Sequence, residues 1–319
     1  MVGSQSILLT GGSGFIGRAF IQRWLEQHQG ELKLLVRNPL RDVPKGVTVV
    51  KVDSLSCRES ELPVFGVDVV VHCAARAHIM KDGVDDPLEA YREVNTLGTL
   101  NLARQAAAAG VRRFIFVSSI KVNGEQTPVG GCFTERDMPA PRDAYGVSKW
   151  EAEEGLRDIG ANTGMDVVII RPPLVYGAGV KGNFANMISL VRKGMPLPFG
   201  AIHNKRSLVA LDNLIDLIFT CITHSNAANQ TFLVSDGEDI STTQLLKGLA
   251  EAMRMPSRLI PIPATFLKYT AVLLGKGIVA QKLLGSLQVD ISHTRESLNW
   301  APPLTVKQGL KRCFQENGN

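Results

Sequence analysis

Between a short apolar run, Ser6-Ile7-Leu8-Leu9-Thr10, and an amphipathic stretch from Phe15 to His28, the chain places Thr10-Gly11-Gly12-Ser13-Gly14-Phe15-Ile16-Gly17. The apolar run closed by glycine predicts a buried strand, and the stretch after it predicts a helix. Glycines in such a turn permit a tight bend, close backbone approach to a pyrophosphate, and close helix–strand packing, while the helix N-terminus stabilises the anion. The turn therefore predicts a nucleotide-binding βαβ unit, with Gly11, Gly12, Ser13, Gly14, Phe15, Ile16 and Gly17 around a dinucleotide.

The remaining pattern agrees with that start. Strands are predicted at Leu32–Val36, Val47–Val52, Val67–His72, Arg113–Ser118 and Met165–Ile170, separated by helical patterns at Ala90–Gly110 and Tyr145–Ile159. Alternating strands and helices predict an α/β fold, a doubly wound parallel sheet covered on both faces. After Arg171-Pro172-Pro173 glycine and proline become dense, and the tail from Ser241 reads as mostly helical. Leu208–Thr223 reads as a helix returning to the sheet and Thr231–Val234 as a late strand. Residues 1–172 and 205–236 are expected to form the dinucleotide-binding domain. Residues 173–204 and 237–319 are expected to form a smaller, mainly helical substrate lobe.

An NAD site commonly places an acidic residue about 20 residues past the last glycine, for the ribose 2′-hydroxyl. Here Arg37 stands at the end of the second strand, with Asn38 and Arg41 behind it. A guanidinium cannot accept that hydroxyl's proton but clamps a 2′-phosphate, which favours NADP(H) over NAD(H). Asp53, after the third strand, is expected to accept from the adenine amine.

Composition excludes several classes. With 319 residues, 45% hydrophobic, 20% charged and a net charge of +5, the chain has the make-up of a globular protein with a large core. No ladder of aromatic and basic residues points to nucleic acid. The five cysteines, Cys57, Cys73, Cys132, Cys221 and Cys313, include no C-x-x-C pair, so reduced thiols, a cytoplasmic setting and no metal site are expected. Leu259 to Leu287 is the most lipid-like stretch but is broken by Pro261, Pro263, Lys268, Lys276 and Lys282. It lacks the run of about 18 apolar residues that a spanning helix needs. Peripheral membrane association is the most it would support.

Tyr145 and Lys149 lie four apart, on one helix face. An ammonium within about 4–6 Å favours a phenolate, so the pair predicts a tyrosine able to move protons near neutral pH. Ser118 and Ser119 close a strand at the carboxyl edge, where α/β sheets bind ligands. A serine hydroxyl beside the phenol could hold a substrate oxygen.

Taken together, the Gly-rich turn, a strand-end serine and Tyr-x-x-x-Lys resemble the extended short-chain dehydrogenase/reductase superfamily of nucleotide-sugar epimerases, dehydratases and reductases. The resemblance implies that Ser119, Tyr145 and Lys149 are catalytic, with Lys149 also on the nicotinamide ribose. It further implies cofactor contacts from Ala74 in His72-Cys73-Ala74-Ala75, from Asn95, and from Pro172 ahead of Val175-Tyr176-Gly177. Lys121, Asn183 and Arg206 fall where substrate is expected, although no arginine near Gly285-Ser286-Leu287 matches a second diphosphate contact. Family dehydratases carry Asp-Glu after the hydroxyl residue; Ile120 and Lys121 stand there, which argues against dehydration.

The segments Ser118 to Glu125 and Gly285 to Asp290 are similar to a bacterial O-antigen subgroup. This implies reduction of UDP-2-acetamido-2,6-dideoxy-4-hexulose to UDP-N-acetylquinovosamine as the leading reaction. The alternative is a UDP-sugar 4-epimerase retaining NAD, and a third reading is a non-catalytic NADP-sensing regulator. A homodimer through Ala90–Gly110 and Tyr145–Ile159 is also implied.

Overall fold

The computed structural model describes residues 5–27, 30–38, 43, 45–57, 61–77, 86–275 and 277–315; the side chains of 278, 279 and 282 are not described. Arg41 and His28 lie outside these residues. The first half alternates β1 (Ser6–Thr10), α1 (Phe15–Gln27), β2 (Glu31–Val36), β3 (Val47–Lys51) and β4 (Val69–His72). Next come α2 (Pro87–Tyr91), a π-helical turn at Arg92–Leu97, α3 (Gly98–Ala108), β5 (Arg113–Val117), α4 (Ala144–Thr163) and β6 (Asp166–Arg171). Then follow β7 (Leu174–Tyr176), α5 (Asn183–Arg192), β8 (Arg206–Ala210), α6 (Leu211–Thr223), β9 (Thr231–Leu233) and β10 (Asp239–Ile240). Helices α7 (Thr242–Ala252), α8 (Ala264–Leu273), α9 (Gly277–Leu284), α10 (Ser292–Leu298) and α11 (Val306–Arg312) complete the chain.

Seven strands form one parallel sheet in the order β3-β2-β1-β4-β5-β6-β9, a doubly wound, Rossmann-type arrangement. Its strands read as continuous apolar runs because both faces are covered. Ile7, Leu9, Val71, Ile115 and Ile170 enter one core with α1 and α6, where the Phe20 and Phe219 rings stack at 4.7 Å. Leu8, Val70, Phe114, Phe116 and Ile169 enter the opposite core with α3 and α4. A second sheet, β10-β8-β7, packs with α5, α7 and α11 around Tyr176, Phe184, Leu208 and Leu249.

Three helices depart from the sequence reading. The helix expected at Leu208–Thr223 begins only at Leu211, because Arg206–Ala210 pairs with β7 and β10. A short apolar run does not itself distinguish strand from helix. The helix expected at Ala90–Gly110 starts earlier, where Asp86 caps α2 ahead of Pro87, and passes through the π turn into α3. Helix α4 runs past Ile159 to Thr163 and stops at Gly164, whose φ of 75° suits glycine.

Candidate active site

The site is built at the carboxyl edge of the large sheet. Gly11 has φ of 74°, and a Cβ there would sit 2.7 Å from the Ala74 amide nitrogen and 2.8 Å from the Cys73 carbonyl carbon. A Cβ on Gly17 would lie 2.2 Å from the Gly11 carbonyl oxygen. Only glycine therefore lets the turn press against both β4 and the first turn of α1. This backbone-lined cradle is the kind that admits a pyrophosphate, so the residues fit a dinucleotide.

Hydrogen-bond accounting orients the layer beneath that turn. Ala74 N–H donates to Thr10 Oγ1 at 3.2 Å, and Thr10 Oγ1 lies 2.6 Å from His72 Nδ1. On the other side His72 Nε2 lies 2.8 Å from Thr99 Oγ1, which donates to the Asn95 carbonyl at 2.7 Å. Because Thr99 spends its proton on Asn95, it accepts from Nε2–H, and Thr10 donates to Nδ1. His72 is thereby a neutral tautomer. Burial, aided by the Lys149 charge, pushes its pKa down to about 3.

Asn95, from the π turn, is fully buried and joins two segments. Its Oδ1 accepts from Arg76 N at 2.8 Å, and its Nδ2 donates to Arg76 O at 3.1 Å and Ser148 Oγ at 3.0 Å. Ser148 Oγ in turn donates to the Tyr145 carbonyl at 2.8 Å. The expected cofactor asparagine is thus also a brace between the strand after β4 and the first turn of α4.

Tyr145 occupies that first turn. Asp143 caps the helix by accepting from Gly146 N at 2.7 Å and also receives the Lys121 ammonium. The Ser119 hydroxyl stands beside the Tyr145 phenol, near enough to draw its pKa down. Ser119 Oγ accepts from Lys121 N at 3.2 Å, and Pro172 O accepts from Ile120 N at 3.0 Å, which fixes this loop over β5 and β6. Lys121 Nζ lies 5.8 Å from the Tyr145 ring centroid and 4.0 Å from Glu125. Ser119, Lys121, Tyr145 and Pro172 are therefore one cluster, with Lys149 one helical turn beyond Tyr145 on α4.

The electrostatics differ from the simple pairing expected of Tyr145 and Lys149. Burial and the Asp143 carboxylate push the phenol up to about 12, opposed by the neighbouring Ser119 hydroxyl. Lys149 is 1% exposed, with Nζ 3.9 Å from the centroid of the Phe116 ring. Burial brings its pKa down to about 7, against the pull of Glu153. Its charge is spent on Phe116 and Glu153 rather than on the phenol.

One functional layer has no counterpart in the sequence reading. Glu153 accepts from Ser118 Oγ at 2.5 Å, from Arg171 Nε and Nη2 at 3.0 and 2.6 Å, and from Arg157 Nη2 at 3.0 Å. Arg171 Nη1 reaches Asn123 Oδ1 at 2.9 Å. The signal was available, since Glu153 continues the four-residue spacing of Tyr145 and Lys149 down the same helix face. Tyr176, by contrast, donates to Asp236 at 2.6 Å and serves the core of the small sheet.

Other expected residues stand around the cluster. Arg37 and Asp53 are exposed beyond the paired ends of β2 and β3, the latter 3.9 Å from Lys51. Asn183 opens α5, exposed, while Arg206 opens β8 and donates through Nη1 to Gly285 O at 3.1 Å. Thr127 N donates to Ser286 O at 3.0 Å, so Gly285–Leu287 ties the strand of Arg206 to the loop after Lys121. Among the described residues no group of three or more His, Cys, Asp or Glu is placed to hold a metal ion.

A sequence profile of the NAD dependent epimerase/dehydratase family matches residues 7–235. The chain belongs to this family. It is 50% identical over 312 residues to a Vibrio cholerae protein named UDP-glucose 4-epimerase, covering 98% of this chain and 95% of that one. Among solved structures, the Bordetella bronchiseptica enzyme WbmG in complex with NAD and UDP superposes with a TM-score of 0.76 at 21% identity, covering 98% and 94%. UDP-glucose 4-epimerase from Thermotoga maritima with UDP-glucose gives 0.77 at 22% identity, covering 97% of each chain. At these identities the structural likeness is one of fold.

Proposed function

We propose that this family member interconverts the C4 epimers of a UDP-linked hexose, with Ser119, Tyr145 and Lys149 as its catalytic residues. The observation that carries the reading is the Ser119 hydroxyl beside the Tyr145 phenol, one helical turn from Lys149, in a chain 50% identical to a protein named UDP-glucose 4-epimerase. A bound nicotinamide dinucleotide, held by Gly11–Gly17, Ala74, Asn95, Lys149 and Pro172, supplies reversible hydride transfer at the sugar's C4. In the oxidative half Tyr145 takes the proton of the C4 hydroxyl as that carbon becomes a ketone. In the return half it gives the proton back to the developing alkoxide, while Ser119 holds the oxygen in both directions. Residues 173–204 and 237–319 form the lobe for the sugar nucleotide, with Lys121, Asn183 and Arg206 on its polar groups.

Ile120 and Lys121 argue against dehydration: Ile120 is buried and apolar, and neither side chain is the carboxylate that removing water from the sugar calls on. Arg37 favours a second reading, reduction of a UDP-4-keto-6-deoxy amino sugar with NADPH. A phenol at about 12 is protonated at neutral pH, the state such a reduction draws on. A second copy would pack along α3 and α4, where Arg104, Ala107, Gly155 and Ile159 line a shallow groove.

Purified protein is incubated with UDP-glucose or UDP-N-acetylglucosamine without added cofactor, and the sugar is followed by NMR. Appearance of the 4-epimer supports the first reading. Stoichiometric NADPH consumption with the UDP-4-keto sugar, and no epimer, replaces it with the second. Inertness in both assays ends the proposal.

A further inference from the structure

Helix α8 has no buried residue. Phe266, Tyr269, Val272 and Leu273 are 59%, 73%, 61% and 85% exposed, and Leu274 beyond them is 72% exposed. Phe266, Tyr269 and Leu273 fall at i, i+3 and i+7, so they share one face. Single exposed apolar residues are ordinary; a row of them with two aromatic rings marks a contact surface.

Charge identifies what meets it. From Ala252 to Val289 the sequence contains Arg254, Arg258, Lys268, Lys276 and Lys282 and no aspartate or glutamate. The whole chain has 35 basic and 30 acidic residues, so outside this segment the two signs balance and the entire formal excess of +5 resides here. Arg254, Arg258 and Lys268 are exposed.

We propose that α8 and its flanks dock the protein on an anionic lipid bilayer surface. The Phe266, Tyr269, Val272 and Leu273 side chains enter the boundary between headgroups and acyl chains, and the exposed Arg254, Arg258 and Lys268 face lipid phosphate. A second copy of this chain fits the patch less well. A two-fold interface sets the same surface against itself, and cations would then meet cations with no acidic residue of the segment to pair them. Among the described residues no helix is long and apolar enough to cross a membrane, and the contact proposed is a helix lying in the interface plane. The α8–α9 hairpin runs into Gly285–Leu287, which binds Arg206 and the loop after Lys121, so the docking surface is continuous with that part of the fold.

The proposal concerns where the protein sits and is independent of the reaction. Its test is flotation of the purified chain with vesicles of phosphatidylcholine alone or mixed with phosphatidylglycerol. Partition onto the mixed vesicles is expected to be at least about tenfold stronger and to weaken as salt rises. The triple variant Phe266→Ser, Tyr269→Ser, Leu273→Ser is expected to keep its melting temperature, since these side chains are exposed, and to lose partition by about tenfold or more. Lys268→Glu is expected to weaken it roughly fivefold. Absence of partition at low salt, or equal partition of the triple variant, overturns the proposal. So does concentration-dependent self-association in sedimentation that the triple variant abolishes while vesicles stay bare; a second copy then covers the face.

Discussion

Arg171 grips Glu153 with two parallel contacts, Nε to Oε1 at 3.0 Å and Nη2 to Oε2 at 2.6 Å, and both side chains are withdrawn from water. The pair sits one turn beyond Lys149 and joins α4 to β6, the two elements that carry Tyr145, Lys149 and the approach to Pro172. Buried pairs of this kind add little net stability over an apolar substitute, but removing one partner strands the other charge. In Arg171→Met the Glu153 carboxylate would keep Arg157, whereas Glu153→Gln leaves the Arg171 guanidinium buried without a carboxylate, so Glu153→Gln is expected to cost about 3–5 kcal/mol in urea unfolding. The double variant with Arg171→Met is expected to recover part of that loss. A single-variant change within about 0.5 kcal/mol, the size of an ordinary surface substitution, would show that the pair is not organising this layer.

Under the proposed mechanism, Tyr145→Phe removes the proton carrier and little else. The ring keeps its edge-on contact with Tyr91 at 6.1 Å, and Asp143 still caps α4. Turnover is expected to fall by about 10²–10⁴ with dinucleotide affinity nearly unchanged. Full activity in this variant would remove Tyr145 from the mechanism.

His72 gives the protein an acid-sensitive joint. Its folded pKa is about 3 against the ordinary 6.5 of a free imidazole, so between those values the unfolded chain takes up a proton that the folded chain refuses. By linkage, stability falls as pH drops through that window and is unaffected by this group above it. In His72→Gln the carboxylates and Lys149 titrate as before, but this contribution is gone. The difference in unfolding free energy between wild type and variant is expected to shrink by up to about 1.4 kcal/mol per pH unit from pH about 6 downward. A difference that stays constant over that range would mean His72 is not held neutral by its surroundings.

How much of this was legible beforehand follows from the range of the interactions. The Gly11–Gly17 turn and the Tyr145–Lys149 spacing are local patterns, and the structure places them at β1–α1 and on one face of α4. Leu208–Ala210 reads as the start of a helix in sequence but belongs to a strand, because its identity depends on β7 and β10, which lie elsewhere in the chain. The bonds from His72 to Thr10 and Thr99 span 62 and 27 residues, and no local period announces them. The phenol's upward shift was also hidden, since it arises from burial and from Asp143 rather than from the lysine four places on.

Arg37 offers the sharpest separation of the two cofactors. It leaves the carboxyl end of β2 exposed, beside the end of β3 that leads to Asp53. A guanidinium there makes charge-assisted bonds to a 2′-phosphate, whereas a carboxylate repels that phosphate and accepts from a 2′-hydroxyl. Arg37→Asp is expected to weaken NADPH binding by roughly 10–100-fold, the value of one or two such bonds, while leaving NADH equal or tighter. Fluorescence titration of each cofactor measures the ratio directly. If the ratio does not move, Arg37 does not meet the ribose, and the observation that favours reduction over epimerisation loses its footing.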